Sequence, residues 1–147
     1  MTHLAGVTAE AWEIAARTVY GEARGEPFEG QVAVAWVIRN RAERPGWWGR
    51  DVGQVCLKPS QFSCWLANDP NRDVITSVNP DNPVYRRCLG IAALVLSGDL
   101  EDPTEASTHY LTVDRPEWAV AWPPKWARDM RKTVVIGGHQ FLSESQA

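Results

Sequence analysis

The chain has 147 residues, 44% of them hydrophobic and 22% charged, with a formal net charge of −3. That length supports one domain with a real core and is short for two, so residues 1–147 are read as a single domain. The acidic balance, with no basic tract, argues against a nucleic-acid partner, and no apolar run is long enough to predict stable membrane insertion.

Residues 8–23 read as a helix: Thr8 is a plausible N-cap, and Trp12, Ala15, Ala16, Val19 and Ala23 recur at helical spacing. A second helix is expected over 28–43, opened by Pro27 and stopped by Pro45-Gly46. Residues 45–82, rich in Pro, Gly, Asn and Asp, read as irregular with at most short helices or strand pieces. A third helix follows over 83–97, between Asn82-Pro83 and Gly98. Residues 106–113 look extended, Pro123-Pro124 opens a short helix over about 124–131, and 133–142 read as a hairpin around Gly137-Gly138 or a strand ending in a turn there. The clusters Arg39/Arg41/Arg44 and Lys125/Arg128/Arg131/Lys132 are taken as solvated helix faces. The fold class is helix-dominated α+β with a small late β element.

Tryptophan is the compositional anomaly, with eight Trp against three Phe and three Tyr. A core this small does not need eight indoles. Several are therefore expected to line a groove, where aromatic faces stack on the C–H faces of sugars as readily as on bases. Cys56, Cys64 and Cys88 show no CxxC or Cys/His zinc spacing. They are expected to be reduced, mostly buried thiols, with a disulfide between two of them left open.

On a helical wheel Glu22 falls at the edge of the apolar arc of the first helix, beside Ala15 and away from Glu10 and Arg17. That placement half-buries a carboxyl group near a helix C-terminus, the setting in which a general acid keeps its proton for a leaving oxygen. Gly21 and Gly25 would let a substrate approach closely and the helix end. The alternative is a helix-end residue paired with Arg17 or Arg24, and composition and periodicity taken alone favour that reading.

The run 16–35, centred on Gly21-Glu22-Ala23-Arg24-Gly25-Glu26, resembles the opening signature of the SleB/CwlJ-type cell-wall hydrolases, a family of spore-cortex lytic enzymes and phage endolysins. The resemblance continues through Asn40-Arg41, Gln61-Phe62-Ser63, Ala106-Ser107-Thr108-His109-Tyr110, Pro124-Lys125-Trp126-Ala127 and residues 136–141, in order. It implies a lysozyme-like fold of the lytic-transglycosylase or goose-lysozyme type. It also implies cleavage of the β-1,4 bond between N-acetylmuramic acid and N-acetylglucosamine in peptidoglycan glycan strands, with Glu22 as the catalytic glutamate and no cofactor or metal. Glu26 matches a second acidic position, read in preference as an N-cap for the second helix and otherwise as a groove residue. Ser63, His109, Tyr110 and Trp126 are candidate substrate-binding residues. Ser63 or Tyr110 is expected to hydrogen-bond the Glu22 carboxyl or the substrate, while Trp126 either lines the groove or anchors its short helix.

Hydrolysis normally takes two carboxylates at a defined separation. Asp69, Asp73, Asp114 and Glu117 have no convincing setting, so a lytic transglycosylase working with Glu22 alone is expected, with a muramidase on the same bond as the alternative. Two rivals from other classes are a zinc-dependent peptidase or amidase built on His109, Asp114 and His139, and a non-catalytic peptidoglycan-binding module. Residues 1–12 show no Sec signal and the sequence shows no wall-binding module, which suits a monomeric phage endolysin made in the host cytoplasm and released to the wall, with Gram-negative hosts typical of such single-domain lysins.

Overall fold

A computed structural model describes residues 3–144; residues 1–2 and 145–147, the ends of the expected single domain, lie outside the described residues. Helix α1 (Ala9–Ala23) starts where Thr8, in an extended conformation, accepts a hydrogen bond from the Ala11 amide at 3.1 Å. Helix α5 (Pro83–Ser97) is bounded as its sequence predicts. Asn82 accepts from the Val84 and Tyr85 amides, and Gly98 closes the helix in the left-handed region at φ 85°.

Helix α2 (Phe28–Ala42) is buried on every face from Gly30 to Ala42. Val34, Trp36 and Ile38 belong to the core cluster shared with α1 and α5. Ala33 and Val37 on another side meet Ile136 and Phe141 of the sheet. A helix held between two layers has no solvated face. Arg39 and Arg41 accordingly depart from the expected exposed cluster, at 3% and 5% exposure, and only Arg44 is exposed as read. Hydrogen bonds replace part of the lost water: Arg39 Nη1 donates to the Val95 carbonyl at 2.7 Å and Arg41 Nε to the Thr108 carbonyl at 2.7 Å, while Arg41 Nη1 is buried without a hydrogen-bond partner among the described residues. The second basic cluster is exposed throughout, but Arg131 and Lys132 lie on a strand rather than a helix.

The region 45–82 holds α3 (Val52–Leu57), a 3-10 turn (Ser63–Trp65) and α4 (Pro70–Ser77), capped by Asp51 and Asp69 respectively for the two α-helices. Helix α6 (Lys125–Arg128) is shorter than expected because strand β2 (Arg131–Ile136) begins early. With β1 (His109–Thr112) and β3 (His139–Ser143) it forms an antiparallel sheet of order β1-β3-β2. Tyr110 lies opposite Phe141 in that sheet, and Gly137 turns the β2–β3 hairpin at φ 58°.

Cys56, Cys64 and Cys88 are free and buried, so no pair of them forms the disulfide left open above. Burial pushes the thiols up, Cys56 to about 12 and Cys88 to about 11.

Candidate active site

Glu22 sits in the last turn of α1, half-buried, where the helix passes very close to its neighbours. A Cβ on the preceding Gly21 would lie 2.8 Å from both Cys64 Cβ and Ile75 Cγ2. Gly21 therefore lets α1 seat against the 3-10 turn and α4, and it also lines the groove beside Glu22. Gly25 has open space at its missing Cβ and no left-handed φ, so the helix end does not demand glycine there.

The sheet supplies the partner of the carboxylate. Tyr110 Oη donates to Glu22 Oε1 at 2.6 Å, joining residues 88 positions apart. The Tyr110 ring is wedged against His139, at 4.8 Å between centroids, and against Phe141 at 5.6 Å. Burial, and then the Glu22 charge, hold the Tyr110 hydroxyl well above its usual range, so it stays a neutral donor. The Cys64 thiol also lies against Glu22, and burial followed by that carboxylate pushes it up and keeps it protonated. Neither arginine of the helix-end alternative pairs with Glu22. Arg17 reaches Glu13 and the Ile75 and Val78 carbonyls, and Arg24 reaches Asn71.

Glu22 faces a groove of about 1220 Å³ that Glu26, Ser63, Tyr110, Trp126 and His139 also line. Beside it lies a cavity of about 610 Å³ that shares Gln61, Tyr110 and Trp126 with the groove. Trp126 belongs to both and is 50% exposed, which places it on the groove and not in the core. Ser63 lines the groove without hydrogen-bonding Glu22, so of the two expected partners only Tyr110 fills that position. His109 opens to the smaller cavity, between Trp48 at 5.7 Å and Trp126 at 5.6 Å. Burial, with the Arg41 charge adding to it, holds His109 down at about 4.

Glu26 does not cap α2. The N-cap position is Pro27, with no side-chain hydrogen bond, and Glu26 Oε1 instead accepts from the Gly138 amide at 2.8 Å. A carboxylate two positions before a helix can serve a distant turn as well as its own helix, and here the hairpin approaches close enough to win it. His139 lines the groove while His109 opens to the other cavity, so His109, Asp114 and His139 form no cluster. Among the described residues no three His, Cys, Asp or Glu side chains are grouped to hold a metal ion.

Sequence reasoning named Asp114 and Glu117 but not the two indoles of the 114–122 loop, Trp118 and Trp122, that line the groove with them. The tryptophan excess was the available signal, but it could not say which indoles were outside the core.

A family model described as Cell Wall Hydrolase matches residues 25–142. The chain is 34% identical over 139 residues to a spore cortex-lytic enzyme of Halalkalibacterium halodurans, covering 95% of this chain and 36% of that protein. It is 50% identical over 128 residues to the spore cortex-lytic enzyme of Bacillus subtilis, covering 86% and 35%. The chain thus spans about a third of the length of these relatives. Its fold is similar to the catalytic domain of the Bacillus cereus SleB protein, with TM-score 0.70 and 27% identity over 96% of this chain and 95% of that one. The catalytic domain of the germination-specific lytic transglycosylase SleB from Bacillus anthracis gives TM-score 0.68 and 28% identity over 95% and 98%. With the lysozyme-like fold in place and the family model spanning most of its length, the chain belongs to the SleB/CwlJ-type cell-wall hydrolase family.

Proposed function

We propose that the protein is a peptidoglycan lytic transglycosylase acting on the bond between N-acetylmuramic acid and N-acetylglucosamine, with Glu22 as its acid and base. The observation that carries the reading is the half-buried Glu22 carboxyl, fixed by Tyr110 on the floor of an aromatic-lined groove. The names of the related cortex-lytic enzymes, one of them a lytic transglycosylase, support the substrate and the reaction. Glu22 gives its proton to the glycosidic oxygen as the bond to the muramic anomeric carbon breaks, and the departing N-acetylglucosamine leaves with a hydroxyl. The Glu22 carboxylate then takes the proton of the muramic C6 hydroxyl while that oxygen bonds to the anomeric carbon. A 1,6-anhydro end forms and the acid is restored. This cycle needs one carboxyl group. Of the other carboxylates lining the groove, Glu26 is engaged by the Gly138 amide, and Asp114 and Glu117 belong to the 114–122 loop. Product analysis therefore decides between this cycle and a two-carboxylate hydrolysis.

Replacing Glu22 by Gln should keep fold and glycan binding while lowering the clearing of a peptidoglycan suspension by at least about a hundredfold, the scale of a lost general acid. Unchanged clearing would remove the enzyme reading. Product mass separates the chemistries, because a reducing muramic end carrying the added mass of water would identify a muramidase instead. The same proposal includes a monomeric phage endolysin made in a host cytoplasm and reaching the wall after release, which rests on the sequence resemblance, the matched relatives themselves being spore cortex-lytic enzymes. Cytoplasmic expression should lyse cells only when the inner membrane is opened; lysis without that step would count against the setting.

A further inference from the structure

Trp118 is 79% exposed and Val120 94% exposed, on a loop that lines the same groove as Glu22. Large apolar side chains held out in water are a common mark of a binding surface. This loop is also fixed rather than loose. Arg115 Nη1 donates to the Val120 carbonyl at 2.9 Å, the Ala119 amide to the Pro116 carbonyl at 3.0 Å, and Ala119 is buried beneath it. Trp122 Nε1 donates to the Thr112 carbonyl at 2.9 Å, which ties the indole to the end of β1. Trp118 and that anchored indole make a T-shaped contact, with 5.8 Å between centroids and 88° between planes. A T-shaped contact covers at most one face of a ring, and at 79% exposure Trp118 keeps a free face.

The groove volume of about 1220 Å³ exceeds what one small ligand usually fills, so it has room for several sugar units. Trp126 supplies an indole where the groove meets the second cavity, and Trp118 supplies one that lines the groove alone and is not part of that cavity. We infer that Trp118 is a stacking platform for an N-acetylhexosamine unit away from the cleaved bond, so the 113–123 loop sets a preference for longer glycan strands. The inference rests on the glycosidase reading of the groove and adds a binding subsite to it.

The test measures turnover of soluble glycan strands by the parent protein, Trp118→Ala and Trp118→Tyr, and calorimetric binding of N-acetylglucosamine oligomers in a Glu22→Gln background. Trp118→Ala should raise KM for strands roughly three- to tenfold, the scale of one aromatic contact, with kcat little changed, and Trp118→Tyr should recover most of the loss. In the Glu22→Gln protein the same change should weaken binding of the hexamer by a similar factor and leave the dimer unaffected. An unchanged KM and hexamer affinity would overturn the inference. Equal weakening of dimer and hexamer would also overturn it, because Trp118 would then belong to the cleavage site. If Glu22→Gln left activity intact, the glycosidase reading itself would fall, which is a separate result.

Discussion

Tyr110 on the first strand and Glu22 at the end of the first helix are joined by a hydrogen bond of 2.6 Å, with the tyrosine as donor. The contact crosses from the helical layer to the sheet, so the position of the carboxyl group depends on how the two layers are packed. Strand β3 fixes the other end of the lever, because His139 and Phe141 hold the Tyr110 ring from its own sheet. Removing the hydroxyl by Tyr110→Phe should leave the ring packing intact and free one carboxylate oxygen to move. Hydrogen bonds to a charged partner contribute roughly 1.5–3 kcal/mol, so activity should fall by about ten- to a hundredfold with little change in secondary structure. Muropeptide release rates beside circular dichroism would check this, and full activity in the variant would show that Tyr110 does not position Glu22.

Glu26 and the hairpin make a second, separable prediction. Glu26→Gln keeps an oxygen that can accept from the Gly138 amide, whereas Glu26→Ala leaves the turn without it. The alanine variant should lose about 1 kcal/mol of stability in denaturant unfolding, and the glutamine variant much less. Activity separates an anchor from a reacting group. If Glu26→Gln abolished cleavage as Glu22→Gln is expected to, Glu26 would be taking part in the chemistry and the single-carboxyl cycle would be wrong.

Gly137 and Gly25 form a contrast at the same site. A Cβ on Gly137 would overlap Glu26 Oε1, and its φ of 58° already disfavours any other residue. Gly137→Ala should therefore destabilise the protein by about 1–3 kcal/mol, whereas Gly25→Ala, with open space around it, should be neutral or slightly stabilising. Thermal unfolding of the two variants checks the pair, and equal melting temperatures would contradict the geometry of the turn.

Gly21 carries a consequence for activity as well as for stability. Alanine there must push apart α1 and the Cys64 turn, or α1 and Ile75 of α4, at a cost of about 1–3 kcal/mol. Because the displaced residue is the neighbour of Glu22, cleavage should fall further than stability alone predicts. The check is activity measured well below the melting temperature of the variant. A Gly21→Ala protein that is less stable but equally active at low temperature would show that the tight contact serves packing only.

The parts of this fold that were legible in the sequence are those with local causes. Thr8, Asn82 and Gly98 mark helix ends by groups that act within a few residues, so α1, α2 and α5 were bounded to within about two residues of their observed limits. Glu22 was legible as a residue at the edge of an apolar face, and the family resemblance named it. The same local reasoning misread Glu26 and Arg41, whose partners, Gly138 and Thr108, are 112 and 67 positions away. Helix-face logic also failed for Arg39, because it assumes a solvent side that α2, held between helices and sheet, does not have. Trp118 shows the converse case: composition announced surplus indoles, but only the folded loop shows which one stands in water beside the groove.

The histidines make stability sensitive to mild acid. Burial holds His109 at about 4 in the folded protein against 6.5 in the unfolded chain, with the nearby Arg41 charge acting in the same direction. His139 is also lowered by burial, though Glu26 and Glu22 oppose the shift. Above about pH 6.5 both rings are neutral in either state and contribute no pH dependence. As the pH falls from 6.5 towards 4, the unfolded chain takes up protons that the folded protein refuses. Stability is therefore lost across that window, and the His109 contribution levels off below about pH 4. Urea unfolding at steps between pH 8 and pH 5 should show a falling midpoint, and a His109→Gln variant should show a shallower fall over the same range. The upper part of the window, from pH 6.5 to pH 5, is the discriminating one, since carboxylates titrate mostly below it. A variant whose midpoint declines as steeply as the parent there would mean that His109 does not resist protonation in the folded protein.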